Sequence, residues 1–335
     1  MKILFAIQAT GNGHISRARE VIPHLLQHGD LDVLISGRQA EVTLPCLIKY
    51  KRKGISYTFG KRGGIDIIDS IKHFRPLHFI KDIFTFPVEQ YDLIINDFEP
   101  VTAWAAVIKN KHTVSLSHQA AYLSAKTPRP QKRDRFAESV FKNYAPTTDK
   151  IGFHFKSYDD FIFTPVIRSD VRKLDVGMNE HITVYLPAHS DEILIRQFSQ
   201  TIDIRFEVFS KHSKKAYRVN NVTIAPINSE AFTKSLAMSN GLITAGGFES
   251  PAEALYLKKK VMAIPMTNQY EQQCNAESMK DIGVTVINKI DKNFVPKLQT
   301  WLEYGKAPDV NYPDLTADII AQVVAAKQQL ISKPC

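Results

Sequence analysis

Short apolar, β-branched runs alternate along the chain with stretches whose apolar residues recur at helical spacing, the pattern of parallel α/β units. In the first half this predicts strands over 2–6, 31–36, 56–59, 93–96, 112–116 and 151–153, with helices between them, as over 14–28 and 101–109. The segment 126–135 holds two prolines and dense charge and reads as an exposed loop. A short strand over 161–167 and a polar linker over 168–180 close this half. The pattern then restarts, with strands over 181–187, 206–210, 222–225, 241–244, 261–264 and 285–287. A last helix over 315–330 follows Pro313 and Asp314, a sound helix start.

Two such series in succession predict an α/β chain of two doubly wound, Rossmann-like domains facing each other across a cleft. The expected domains are 1–168 and 169–315, with a C-terminal helix in 316–335 packing back on the first. Ligands in such folds bind outside the carboxyl ends of the strands. A length of 335 residues suits two domains, and 44% hydrophobic with 23% charged residues excludes a disordered chain. No run of about 18 apolar residues offers a membrane span. The segment 1–7 is too short for a signal core and reads as a buried first strand. Cys46, Cys274 and Cys335 show neither metal spacing nor even pairing, so a reducing cytoplasm is expected.

The net charge of +9 points to phosphates, whether in lipid head groups, nucleotides or nucleic acid. Basic residues cluster over 49–53, 61–62, 126–135, 211–215 and 258–260, the first-half clusters lying near Phe74, Phe79, Tyr122 and Phe136. No helix-turn-helix, zinc finger or aromatic RNA-binding signature accompanies them, so nucleic acid is not the expected partner. A solvated basic face and contact with an anionic membrane both account for the clusters.

Three motifs carry chemistry. Gly11-Asn12-Gly13-His14 follows the first strand and opens the first helix. Its glycines allow a tight turn and close approach to a ligand. Ser16 stands where a dinucleotide fingerprint has its third glycine, so that reading fails. What remains presents His14 at a helix N-terminus, as a proton acceptor for an attacking hydroxyl or as a structural cap. In the second half, Gly246-Gly247-Phe248-Glu249-Ser250-Pro251 joins a strand to a helix, an anion cradle of backbone N–H groups and helix dipole. Ser250 is the expected N-cap and Pro251 the first helical residue. Glu253, one turn on, either reaches a ribose diol or complements the dipole. Glu271-Gln272, after the next strand, offers a carboxylate and an amide suited to hydroxyls.

In order and spacing these motifs resemble the two-domain GT-B glycosyltransferases, and within them the MurG type of UDP-N-acetylglucosamine transferase and its family 28 relatives. The resemblance covers about ten residues at the start and a segment of the second half from Thr244 to Ala276. It implies that the Gly11–His14 loop lies beside the acceptor, that Glu253 holds the ribose, and that Glu271 and Gln272 hold sugar hydroxyls. Ala245 departs from it, standing where many relatives place a phosphate-contacting histidine. His189 or Ser190, after the second half's first strand, are the substitutes in view. Asp97 and Glu99 flank a strand end; Asp97 orients His14, binds acceptor hydroxyls, or with Glu99 chelates a metal. His118, at the next strand end, is a second acceptor-side candidate. The resemblance argues against a metal and implies no cofactor, with a UDP-sugar as co-substrate; the basic and aromatic first half suggests an acceptor carried on an anionic membrane, a glycan or glycolipid.

The expected reaction is therefore inverting transfer of a hexose or N-acetylhexosamine from a UDP-sugar, in cell-envelope glycoconjugate synthesis, on the inner face of the membrane. A UDP-sugar epimerase of the same fold is the nearest alternative. A nucleotide-sugar sensor is the non-enzymatic one.

Overall fold

The computed structural model describes residues 1–9, 11–37, 44, 46–53, 58–59, 65–66 and 76–332. The basic pair 61–62, Phe74 and Cys335 lie outside these residues, as do residues 56–57 of the expected 56–59 strand.

The first half builds β1 (Lys2–Gln8), α1 (Asn12–Leu25), β2 (Asp30–Ser36), β3 (Ile48–Arg52), the hairpin β4 (Thr58–Phe59) and β5 (Ile65–Asp66), and α2 (Pro76–Thr85). It continues with β6 (Leu93–Asp97), α3 (Pro100–Ile108), β7 (Val114–Ser117), α4 (Arg135–Asn143), β8 (Asp149–Phe153) and β9 (Ile162–Phe163). Its sheet runs β3-β2-β1-β6-β7-β8-β9, parallel throughout. Such a sheet needs helices on both faces, and its central strands are accordingly apolar without alternation: Ile3 to Ile7 are all fully buried. The strand expected over 161–167 shrinks to two residues, because Pro165 has no N–H for a ladder.

The short helix α5 (Ser169–Arg172) lies in the connection to the second half. There follow β10 (His181–Tyr185), α6 (Asp191–Phe198), β11 (Arg205–Ser210), β12 (Tyr217–Val219), β13 (Val222–Pro226) and α7 (Ser229–Met238). Then come β14 (Gly241–Thr244), α8 (Glu249–Tyr256), β15 (Lys260–Ala263), α9 (Tyr270–Asp281), β16 (Thr285–Val286), α10 (Phe294–Tyr304) and α11 (Thr316–Ser332). The second sheet runs β12-β13-β11-β10-β14-β15-β16, with only the β12–β13 edge pair antiparallel.

In each sheet the order reverses about one strand, β1 in the first and β10 in the second. The crevices this creates lie past β1 and β6, and past β10 and β14, and both sets of carboxyl ends face the junction of the halves. Helix α11 packs against α1, placing Ile319, Ile320, Val323 and Val324 in a core shared with Val21 and Leu25, so the chain's end returns to the first half. Among the described residues no helix is long and apolar enough to cross a membrane.

Candidate active site

The backbone turns from β1 into α1 at Gly11, whose φ of +97° lies in the left-handed region that glycine enters without a steric cost. Asn12 and Gly13 begin α1, and His14 follows on its first turn. Three residues on, and therefore on the same face of the helix, stands Arg17. Both reach the end of β6. There His14 Nδ1 lies 2.8 Å from Asp97 Oδ1, and Arg17 Nη2 donates to both Asp97 oxygens at 2.9 and 3.0 Å, with Nε at 3.2 Å. Burial works against a charged Asp97. The Arg17 guanidinium and His14 outweigh it and hold the carboxyl below its ordinary range. An ionised Asp97 can only accept a hydrogen bond, so the neutral tautomer of His14 that fits this pairing carries its hydrogen on Nδ1 and its lone pair on Nε2.

Asp97 and Glu99 do not share the cleft. Phe98 between them has φ +55°, a conformation that costs a non-glycine residue about 1 kcal/mol or more. The kink sends Glu99 the other way, where it caps α3 by accepting from the N–H groups of Val101 (2.9 Å) and Thr102 (2.7 Å). The two carboxylates thus serve separate networks, Asp97 with His14 and Arg17 and Glu99 with the start of α3.

From the second half, the N-terminus of α8 closes on the same place. The helix starts at Glu249 with Phe248 in the cap position, not at Ser250 and Pro251 as expected. Packing accounts for the earlier start: the Phe248 ring is buried and stacks on His118, centroids 3.9 Å apart. Pro251 is tolerated as the third helical residue, because an N–H at that position has no intrahelical acceptor in any case. Gly246 must be glycine, since a Cβ would lie 2.6 Å from the Gln272 carbonyl oxygen. Its N–H donates to Gln272 Oε1 (3.1 Å), which also accepts from Met266 N–H (3.0 Å). Gln272 thus pins the turn, and the cradle's open N–H groups begin at Gly247 rather than at Gly246. Asn275 completes the pinning by donating to the Gly246 carbonyl at 3.0 Å.

Glu249 spans the cleft: Arg17 Nη1 donates to its Oε1 at 2.8 Å, and its Cγ would lie 3.0 Å from a Cβ on Gly13. Burial pushes the Glu249 carboxyl up to about 7 despite Arg17. Glu253 is paired with Arg168 of the connecting segment, at 2.6 Å to Nε and 3.3 Å to Nη2. Each of its oxygens retains a lone pair for a further donor such as a ribose hydroxyl. Glu271 receives Gln119 Nε2 at 3.3 Å, and burial raises its carboxyl. The Gln119 Oε1 beside it is buried with no hydrogen-bond partner.

His118 lies in the seam between the halves. Its Nδ1 sits 2.8 Å from the Phe153 carbonyl and its Nε2 2.9 Å from Asn275 Oδ1. Burial drives its imidazole down to about 3, so it is neutral and its approach to Glu271 is no ion pair. His189 follows β10, next to β14 in the sheet, and so its loop neighbours the glycine turn; its Nδ1 is buried without a partner. Of the sequence-derived candidates, Gly11, Asn12, Gly13, His14, Asp97, Glu249, Gln272 and Glu271 converge on one cleft. Arg17 and Arg168 escaped the sequence reading. The three-residue spacing from His14 was a usable signal for Arg17; Arg168 carried none.

Residues 71–302 match the model of glycosyl transferase family 1. No curated protein matches the chain. Among solved structures the chain is similar to Acinetobacter baumannii MurG, at 14% identity and TM-score 0.53, covering 98% of this chain and 100% of that one. It is also similar to Arabidopsis thaliana UGT89C1 complexed with UDP, at 12% identity and TM-score 0.56, covering 98% and 93%. A UDP-N-acetylglucosamine 2-epimerase is similar at 11% identity and TM-score 0.58, covering 100% and 98%. Likeness at such identities is a likeness of fold.

Proposed function

The chain belongs to glycosyl transferase family 1, and from that premise we propose that it is an inverting, UDP-sugar-dependent enzyme with His14 as its base. The acceptor is a hydroxyl of a glycan or lipid-linked glycan, and the sugar a hexose or N-acetylhexosamine. The observation that carries this reading is the His14–Asp97 pair facing the α8 N-terminus across the cleft. With Nδ1–H committed to Asp97, Nε2 takes the proton of the acceptor hydroxyl. That oxygen bonds to the anomeric carbon from the face opposite the leaving group. The bond from that carbon to the diphosphate oxygen breaks, and its electron pair leaves with UDP.

The helix dipole and the N–H groups from Gly247 onward stabilise the charge developing on the diphosphate, the preorganised electrostatic contribution that usually matters most. Glu253 supports a ribose, Glu271 the sugar hydroxyls, and the buried junction of the halves excludes water. No cofactor or metal enters this mechanism.

A membrane-borne acceptor is supported by α2. Its inner face packs Phe79 and Ile83 into the core, yet Leu77, Ile80 and Phe84 stand exposed with Lys81 on the opposite stripe. A helix apolar on both sides is unusual at a protein surface. The edge strand β3, with exposed Lys49 and Lys51, is tied to it through Arg52 and Asp82 (3.4 Å). This is the composition of a surface that rests on anionic lipid.

The test is His14→Ala. Turnover of UDP-sugar should fall by about 10²-fold or more with UDP affinity unchanged. Near-normal turnover would remove His14 from the mechanism, and isomerised UDP-sugar formed without acceptor would replace transfer with epimerisation.

A further inference from the structure

The charges assembled at the cleft do not by themselves suit a diphosphate. Three carboxylates meet there, Asp97, Glu249 and Glu271, around one guanidinium, Arg17, and the neighbouring Glu253 is matched by Arg168. Arg168 is committed to Glu253 through two nitrogens. Arg17 is different. Its Nε and Nη2 are fixed on Asp97, which sets the plane of the guanidinium, and its Nη1 alone is aimed across the cleft at the first residue of α8. There it meets Glu249, which occupies the gap between Gly13 and the helix N-terminus. The Glu249 side chain is 23% exposed, whereas those of Arg17 and Asp97 are 2% and 0%. Glu249 is therefore the member of the network that can leave it.

We propose that Arg17 is the diphosphate-binding cation of this site and that Glu249 is the anion it exchanges. Donor binding moves a phosphate oxygen onto Arg17 Nη1, and the released Glu249 takes up a proton from solvent. This rests on the UDP-donor reading above and adds what that reading lacks, a cation to compensate for Ala245. An acidic residue at a helix N-terminus competes with a bound anion for the same N–H groups and dipole. Moving that residue aside and neutralising it lifts both the competition and the repulsion.

The groups facing Glu249 are Arg17 and His14 from α1, Asp97 from the end of β6, and Glu253 within α8, while Glu271 of α9 acts on Arg17. Burial already holds the Glu249 carboxyl at about 7 with Arg17 in place. While the carboxyl stays inside the cleft, loss of that partner and the arriving phosphate charge both raise it further, so protonation near neutral pH is within reach. The sign follows. Below pH 7 Glu249 is mostly neutral and Arg17 is available; as pH rises past 7, ionised Glu249 competes and donor affinity falls.

Calorimetric titration of the full chain with UDP and with uridine tests this from about pH 6.5 to 8.5, above the second ionisation of a phosphate near ~6. For the wild type, the UDP Kd should rise about tenfold across this range, as one-proton linkage allows. Proton uptake should appear as a dependence of the binding heat on the buffer's ionisation enthalpy. Glu249→Gln should bind UDP at least as tightly as wild type and lose the pH slope. Arg17→Lys keeps a cation on Asp97 but loses the fork, and should weaken UDP about tenfold while leaving uridine unchanged. Weaker UDP binding by Glu249→Gln, a retained pH slope, or an unchanged UDP-to-uridine ratio in Arg17→Lys would each overturn the exchange alone. Wild-type protein that binds UDP no better than uridine would overturn the donor reading and the exchange together.

Discussion

Replacing Asp97 with asparagine removes one charge and keeps the shape, so its effects can be worked out contact by contact. The carboxylate accepts from His14 Nδ1 at 2.8 Å and from Arg17 at 2.9, 3.0 and 3.2 Å. Asparagine offers one acceptor oxygen and one NH₂. If the oxygen faces Arg17, the NH₂ faces His14 and drives the imidazole hydrogen to Nε2, which removes the base. If the oxygen faces His14, two N–H donors confront the guanidinium. Arg17 keeps Glu249 in either case, so the cost lies at the lower end of that for breaking a buried ion pair, about 3 kcal/mol. For domains of this size that lowers Tm by roughly 6–12 °C. A tautomer inversion of this kind costs a serine protease about 10⁴-fold in kcat, and a loss of about 10³–10⁴ is expected here. The assay is UDP release from a UDP-sugar, with or without acceptor, alongside scanning calorimetry. Turnover within about threefold of wild type, in a protein whose Tm has fallen as calculated, would show that Asp97 is structural and refute the orientation argument.

Other residues give independent tests. Gly246→Ala puts a methyl group against the Gln272 carbonyl, so the variant should fold with a lowered Tm yet lose the stabilisation that UDP confers on the wild type; a preserved UDP shift would show that the turn is not at the donor site. His118 is held near 3 by burial against an unfolded value near ~6.5, a depressed histidine, so its stabilising contribution is full above the unfolded value and declines as pH falls below it. His118→Phe, which can keep the stack on Phe248, should flatten the loss of Tm between about pH 6.5 and 4, and an unchanged acid profile would place the sensitivity elsewhere. Ile80→Asp on the outer stripe of α2 should abolish sedimentation with anionic liposomes at low salt and leave hydrolysis of a soluble UDP-sugar unaltered. Equal sedimentation of both proteins would remove α2 from any membrane contact.

The two halves were legible because each buried parallel strand is a continuous apolar run, and such runs followed by helical spacing permit little else. The glycine turns were legible for a related reason: where backbone must approach backbone, as at Gly246 and Gln272, no other residue fits. Helix starts set by tertiary packing were harder to see. Ser250-Pro251 has the local chemistry of a start, but the stack of Phe248 on His118 moves it, and that contact joins residues 130 positions apart. The Asp97–Glu99 pair looks like one constellation in sequence and is two in space, because a positive φ at Phe98 leaves no mark in residue type. Arg17 is an ordinary helical residue in the sequence; only its convergence with Asp97 and Glu249 from distant positions makes it part of a site. The charge of +9 pointed to a phosphate partner in general. Which arginine stands in the cleft depended on burial and long-range contacts that composition does not carry.

The most direct test of the account is to follow a panel of UDP-sugars with the wild-type protein by proton NMR, with and without hydroxyl acceptors, reading the anomeric configuration of the sugar and the fate of the nucleotide. The account predicts release of UDP together with a sugar whose anomeric centre is inverted relative to the donor. Retained configuration would contradict a single displacement with His14 as base, and conversion of the UDP-sugar to an isomer without UDP release would contradict transfer itself.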